Sequence, residues 1–183
     1  MKFKNLFLLL FLTLTAISCK EEGKDKEGSA QGQEEIAPAS NAFKVTLNMV
    51  TKKNDDFCLL YTEDGSLNFE KGVWKVIKGS ESDQLVEFYL PNDEFPTQLR
   101  LDLGRNPEQD DILIKSIKFE YLGNTRELKG AEIGVFFRAD ANKCTFDPVT
   151  GLVKALVKDG KKETPSLYPH ESVFAAELPK LAK

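Results

Sequence analysis

Apolar and polar residues alternate along most of the chain beyond residue 42, and turn residues separate the alternating runs. Leu99, Leu101 and Leu103, for example, alternate with polar residues, and this period of two predicts a strand with one buried face. The pattern predicts about eight strands in all. They cover residues 43–49, 57–62, 73–77, 85–90, 99–103, 112–121, 131–139 and 152–158.

Three of these runs predict more than the presence of a strand. The run 85–90 is apolar on both faces and predicts an interior strand. Within 112–121 the phase of the apolar residues changes, which predicts a β-bulge near Lys115 and Ser116, or else a start buried on both faces. The run 152–158 also fits a helical stripe, but the turn residues on either side favour a strand.

A short helix over 170–178, ended by Pro179, is the one helix that the pattern predicts beyond residue 42. Many short strands at turn-punctuated spacing and little helix are typical of an all-β fold. We therefore expect a two-sheet β-sandwich, in particular a jelly roll.

The first residues have a different pattern. Lys2 and Lys4 precede an apolar run over 6–14, and small residues lead to Cys19. This run is too short for a membrane-spanning helix but has the layout of a secretory signal. Residues 20–41 are polar and charged, which predicts a flexible linker. The expected organisation is a signal peptide at 1–18, an anchor and linker at 19–41, and one domain at 42–183.

The sequence Thr-Ala-Ile-Ser before Cys19 resembles the lipobox of bacterial lipoproteins, with Ala16 where that motif usually has Leu. The resemblance implies that Cys19 carries a lipid such as palmitate; the alternative is an ordinary signal cut after Ala16 or Ser18. Lys-Glu-Glu follows Cys19 and resembles the export signal of Bacteroidota-type surface lipoproteins. Together these motifs imply an outer-membrane lipoprotein displayed on the cell surface.

A second resemblance lies in the domain. Residues 95–104, Phe-Pro-Thr-Gln-Leu-Arg-Leu-Asp-Leu-Gly, and the strand 112–119 that follows are similar to the middle of galactose-binding-like jelly rolls and carbohydrate-binding modules. The resemblance implies the fold and a carbohydrate-binding role. It names no ligand.

Charge and cysteine content narrow the choice of partners. The net charge is −4, and removal of the signal leaves 23 basic against 29 acidic residues, a net charge of −6. An acidic surface repels phosphates, so no nucleic acid partner is expected. Cys58 and Cys144 remain beside Cys19, and in an oxidising compartment they either form a disulfide or stay as two buried thiols.

The residues that enzymes use are sparse. His170 is the only histidine, and no motif of a nucleophile with its base accompanies it. Paired carboxylates occur only in predicted turns. Calcium ligands could come from Asp93, Glu94, Asp110, Asp111 and Asp147, but their spacing matches no calcium motif. The sequence therefore predicts no catalytic residues, no metal and no cofactor.

Carbohydrate binding requires a flat ring and nearby polar groups. The candidate ligand-binding residues are Trp74, Tyr89, Tyr121, Arg126 and Phe136. A buried role competes with each ring, because most aromatic residues of a small β domain lie in the core. Arg100 and Asp102 point the same way on their strand, which predicts an ion pair.

The sequence thus predicts a membrane-anchored, non-catalytic lipoprotein whose β-sandwich binds carbohydrate or assists in glycan handling. The alternative is an envelope scaffold subunit that binds another protein, which requires a contiguous apolar patch on the surface.

Overall fold

Alternating residues place one face of each long strand between two sheets. The computed structural model describes residues 41–183, so the predicted signal peptide, Cys19 and nearly all of the linker lie outside the described residues. Two helices, α1 (Ile133–Phe136) and α2 (Glu171–Glu177), and two 3-10 turns, Gly130–Glu132 and Leu178–Ala182, accompany the strands. The strands are β1 (Lys44–Thr51), β2 (Asp55–Thr62), β3 (Lys71–Ile77), β4 (Ser80–Tyr89), β5 (Gln98–Leu103), β6 (Ile112–Tyr121), β7 (Asn124–Lys129), β8 (Phe137–Ala139), β9 (Cys144–Asp147), β10 (Leu152–Ala155), β11 (Val157–Lys158), β12 (Lys161–Lys162) and β13 (Ser166–Pro169).

Two antiparallel sheets form the sandwich. The six-stranded sheet has the order β4-β1-β6-β10-β9, with β7 also paired to β6, and the five-stranded sheet has the order β3-β2-β5-β13-β8. The chain crosses from one sheet to the other between β1 and β2, β3 and β4, β4 and β5, β5 and β6, β7 and β8, and β8 and β9, and once more between β10 and β13. The predicted all-β sandwich is confirmed, and so is the short helix near the C-terminus.

The core consists of the inward residues of both sheets, and α2 covers one end of it. Phe174 of α2 is fully buried and packs against Phe119, Phe136 and Phe137 at ring-centroid distances of 6.1, 5.5 and 5.1 Å. Aromatic pairs at such distances contribute beyond the area they bury. The helix is therefore part of the core.

The bulge predicted in the sixth strand is confirmed. Asn48 of β1 pairs with Ser116, and the next residue, Met49, pairs with Ile114, so Lys115 has no partner in β1. The extra residue lets Ile114 and Ile117 face the same core although three positions separate them.

The prediction that 85–90 is an interior strand is wrong. β4 begins at Ser80, lies at the edge of its sheet and pairs with β1 only. Leu85 is 67% exposed on its outward face. The polar residues 80–84 belong to the same strand as the apolar run, because solvent reaches an edge strand.

The strand predicted over 131–139 is also wrong for most of its length. A 3-10 turn and α1 occupy Gly130–Phe136, and only Phe137–Ala139 is a strand. A Cβ on Gly134 would lie 2.6 Å from Cβ of Pro148, so this turn packs closely against the loop after β9. Since Phe136 ends a helical turn, it does not alternate with Phe137, and both rings are buried.

The two cysteines of the domain are free, buried thiols, the second of the two alternatives. Cys144 belongs to the hydrophobic core and donates a hydrogen bond to the carbonyl oxygen of Ser166 at 3.3 Å. Cys58 alternates with the core residues Phe57 and Leu59, so it points to the outer side of the five-stranded sheet. That sheet lies between the two sulfur atoms.

Candidate functional site

The outer side of the five-stranded sheet collects aromatic rings and arginines. Register fixes which residues share this side: Cys58 lies between Trp74 and Asp102, and Leu60 lies between Gly72 and Arg100. We call this surface the arginine face. Its residues are Cys58 and Leu60 of β2, Gly72 and Trp74 of β3, Arg100 and Asp102 of β5, Arg138 of β8, Tyr168 of β13, and Phe69 and Arg105 from adjoining loops.

Trp74 is the most exposed ring of this face. It is 51% exposed, and the guanidinium carbon of Arg105 lies 3.6 Å from its ring centroid. Among the described residues, the Arg105 guanidinium has no ion pair and no hydrogen bond. The stack thus leaves half of the indole and all guanidinium N–H groups for solvent or a ligand.

Asp55 fixes the backbone from which Arg105 projects. Its carboxylate accepts hydrogen bonds from the backbone N–H groups of Arg105 at 2.6 Å and Asn106 at 3.0 Å, and from Nε2 of Gln109 at 3.0 Å. Gly104 precedes this turn at φ +96°, where a Cβ would lie 2.3 Å from Oδ2 of Asp55. Only glycine fits there, so the turn holds Arg105 in one place.

The predicted pair of Arg100 and Asp102 is confirmed. Nε and Nη2 of Arg100 donate to the two carboxylate oxygens of Asp102 at 2.8 and 2.9 Å. The two side chains are only 16% and 20% exposed, so this two-pronged contact is largely shielded from solvent. The ion pair fixes the positions of hydrogen-bond donors on Arg100 and acceptors on Asp102 in the middle of the face.

Tyr168 lies between two guanidinium groups. Arg100 and Arg138 lie 4.6 and 5.6 Å from its ring centroid, and the ring of Phe69 meets it edge-on at 6.0 Å. Arg138 also has a weak contact with Glu171, at 3.7 Å between half-exposed side chains. The ring thus lies within cation–π distance of both arginines.

Cys58 lies under this surface and is not a nucleophile at neutral pH. Burial raises the pKa of its thiol to about 11; Asp102 adds to the rise, and Arg105 and Arg100 oppose it. A thiol with this pKa stays protonated under physiological conditions, and the thiolate is the reactive form. Cys58 therefore contributes packing beneath the face and no reactive thiolate.

The choice of arginine on this face is selective. The chain has 21 lysines but only four arginines, and three of the four are Arg100, Arg105 and Arg138. Arginine stacks on rings and donates two parallel hydrogen bonds, which lysine cannot do. The face therefore uses the one basic side chain that is planar, and a requirement for positive charge alone would not explain this preference.

The structure scatters the other four predicted ligand-binding residues. Tyr89 lies on β4, on the outer side of the other sheet, where its hydroxyl donates to Glu87 at 2.8 Å. Tyr121 packs against Phe95 at 5.0 Å, and Phe136 is buried. Arg126 of β7 pairs with Glu132 and lies 5.7 Å from the Phe136 ring centroid. Of the five candidates, only Trp74 lies on the arginine face.

Protein donors already engage several acidic loop residues. Asp147 accepts hydrogen bonds from Thr150 Oγ1 at 2.7 Å and from the Val149 backbone at 2.9 Å, and these bonds lower the pKa of its carboxyl group. Asp93 accepts a bond from Asn41 at 2.5 Å. Within residues 41–183, no three acidic, histidine or cysteine side chains are grouped so that they could hold a metal ion.

No family model matches the chain, and no curated protein or solved structure matches it either. Helices in the described part are all too short or too polar to cross a membrane. The fold and the arginine face are therefore the basis for the function proposed below.

Sequence patterns did not identify Arg105, Tyr168 or Phe69 as members of the site. Arg105 follows a glycine turn and Phe69 lies in a loop, so neither belongs to an alternating run. Tyr168 lies in a four-residue strand between prolines, a strand that the pattern did not predict. One feature of the sequence could have indicated Arg105: the chain has only four arginines, so each arginine position is a candidate for a specific contact.

Proposed function

We propose that the protein is a membrane-anchored, non-catalytic lipoprotein whose β-sandwich binds carbohydrate on the arginine face. The observation that carries this proposal is Trp74, a half-exposed ring held on a strand and placed beside fixed polar groups. Carbohydrate sites combine a flat apolar ring with a few positioned hydrogen-bonding groups.

The polar groups suit sugar hydroxyls. Asp102 presents carboxylate oxygens as acceptors, and Arg100 presents N–H groups that its bond to Asp102 leaves over. Their mutual contact fixes both side chains before a ligand arrives, so little rotamer freedom is lost on binding.

The anchoring part of the proposal rests on the sequence. An acylated Cys19 would hold the chain at a bacterial outer membrane, and residues 20–41 would link it to the domain. A binding module on such a linker can capture polymers near the cell surface. This arrangement requires no catalytic residue in the module.

The alternative, an envelope subunit that binds another protein, would need a contiguous apolar patch. Within the described part of the chain, the exposed large apolar residues are spread over the fold, and only Trp74 and Val76 are neighbours on one strand face. They are Leu67, Trp74, Val76, Leu85, Leu122, Val135, Val149 and Val157. This distribution favours carbohydrate over a protein partner.

A glycan array tests the proposal. We expect the full-length protein, in a detergent without a sugar headgroup, to bind a defined set of polysaccharides. Trp74→Ala should weaken that binding by about tenfold or more, since a stacked ring contributes more than 1 kcal/mol. Tyr89→Ala, on the opposite outer side, is the matched control and should bind like the wild type. Failure of the wild type to bind any glycan would contradict the proposal.

A further inference from the structure

We propose that the carbohydrate recognised by the arginine face carries carboxylate groups, as polymers of uronic acids do. This inference rests on the proposed function and adds the chemical class of the ligand. Its basis is the juxtaposition of three guanidinium groups with an exposed ring on one side of a protein whose net charge is −4.

Arg105 is the central residue of the inference. Its guanidinium is exposed, stacked on Trp74 and without any carboxylate partner among the described residues. In a chain with more acidic than basic residues, an arginine held in place and left unpaired has its donors free for an anion. Stacking fixes the plane of the guanidinium, so its N–H edges present a pair of parallel donors.

A carboxylated sugar matches this pair of groups. Its ring stacks on the open part of Trp74, while its carboxylate accepts two parallel hydrogen bonds from Arg105. A neutral sugar offers only hydroxyls and leaves the charge of Arg105 uncompensated.

Of the other two arginines, Arg138 extends the same chemistry along the face. Arg100 is neutralised by Asp102, whereas Arg138 has only the weak contact with Glu171 at 3.7 Å. Arg138 lies on β8 at one edge of the sheet and Trp74 lies on β3 at the other, roughly 19 Å away by the usual strand spacing. The face thus suits an oligosaccharide with repeated carboxylates, one near Arg105 and another near Arg138.

The fixed geometry separates this face from a general anion-binding surface. Asp55 holds the backbone of Arg105, and the Tyr168 ring lies within cation–π distance of Arg100 and Arg138. The guanidinium fork binds carboxylates and tetrahedral oxyanions such as sulfate alike, so selectivity between them must come from the position of the anion. A uronic acid carboxylate is attached directly to a ring carbon, whereas a sulfate ester lies one oxygen atom further from the ring. We expect selectivity between these two anions as well as a preference for acidic over neutral sugars.

The test uses polygalacturonate and its fully methyl-esterified form, which differ in the negative charge of the carboxylate. Calorimetry with the full-length protein should show about tenfold tighter binding of the acid, as a charge-assisted hydrogen bond provides. Arg105→Ala should reduce the preference to less than about twofold. Arg105→Lys should lose most of it as well, because lysine keeps the charge but not the planar pair of donors.

Arg126→Ala is the matched control, since Arg126 is the one arginine outside the face. It should leave both affinities unchanged. Dextran sulfate provides a third ligand, and it should bind more weakly than polygalacturonate at equal ionic strength.

Each other outcome overturns the inference in a distinct way. Equal affinity for the acid and its ester, with both lost in Trp74→Ala, would refute the acidic ligand and leave the proposed function intact. Dextran sulfate binding as tightly as polygalacturonate would show nonspecific attraction between charges. The absence of binding to any glycan would refute both the inference and the proposed function.

Discussion

Cys58 shows how a single buried side chain responds to the charges above it. Two arginines lie close enough to favour its thiolate, yet burial and the Asp102 carboxylate prevail and raise the pKa of the thiol to about 11. An unfolded chain lacks this burial, so its thiol has an ordinary pKa near 8.5. Folding therefore favours the protonated form of Cys58.

This shift predicts a loss of stability at alkaline pH. Between roughly pH 8.5 and pH 11 the unfolded chain releases the Cys58 proton while the folded protein retains it, so rising pH favours unfolding. The free energy of unfolding should fall through this window by up to about 3 kcal/mol from this thiol. Urea denaturation at several pH values measures it, and Cys58→Ala should show a shallower decline. Parallel curves for the two proteins would contradict the assignment.

Residue types alone did not tell which rings are buried. Trp74 and Phe136 both occur in apolar runs, but Trp74 lies on an edge strand with its outer side uncovered, while Phe136 turns inward at a helical turn. Exposure depends on which element covers each face, and that depends on contacts between residues far apart in sequence. The sequence could therefore nominate Trp74 but not separate it from Phe136.

Among the elements, β6 shows how one extra residue keeps two halves of a strand in phase with the core. Ile112 and Ile114 precede the bulge and Ile117 and Phe119 follow it, and all four are buried. Lys115 itself is exposed and pairs with Asp83 at 2.5 Å, a surface contact of little energetic weight.

Deletion of Lys115 should accordingly be tolerated. The deletion makes Ile114 and Ser116 consecutive, as their partners Met49 and Asn48 already are, and every core residue keeps its side. We expect a loss of no more than about 2 kcal/mol in the free energy of unfolding. Denaturant titration with an unchanged m-value would show that the fold is retained.

Deletion of Lys118 is the control. It removes one residue beyond the bulge and reverses the phase of Phe119, a fully buried ring. That change should cost about 3 kcal/mol or more, as the loss of a large core side chain does. Equal stability of the two deletion proteins would show that the phase of β6 does not determine its packing.

Long alternating runs were predictable at this scale, and short elements were not. The pattern predicted β1, β2, β3, β5 and the bulge in β6, since each buries one full face against the core. β9 and β13 have four residues each, too few for alternation to be distinguished from chance. The edge position of β4 depends on the pairing of whole strands, which a local pattern does not contain.

At the scale of the whole molecule, the two outer sides of the sandwich differ in chemistry. The outer side of the six-stranded sheet carries a network of ion pairs between lysines and glutamates. In it, Glu120 contacts Lys44 at 2.8 Å and Lys118 at 3.0 Å. The five-stranded sheet carries arginines and rings. The sequence predicted the sandwich, but the division of charge between its sides emerged only from the strand order.

The anchor is a property of the whole chain, and labelling tests it. In a bacterial host, labelled palmitate should be incorporated into the wild-type protein and not into Cys19→Ser, because acylation requires that sulfur. Cys58→Ser, which changes a buried thiol, should incorporate label like the wild type. An unlabelled wild-type protein would favour an ordinary signal peptide over the lipobox.

The outward positions of β2, β3, β5, β8 and β13 include no lysine. Chemical coupling through amines, on a sensor chip or to a fluorophore, attaches mainly through lysines elsewhere on the surface. Immobilised protein would accordingly keep Trp74 and its arginines open to a polymer flowing past.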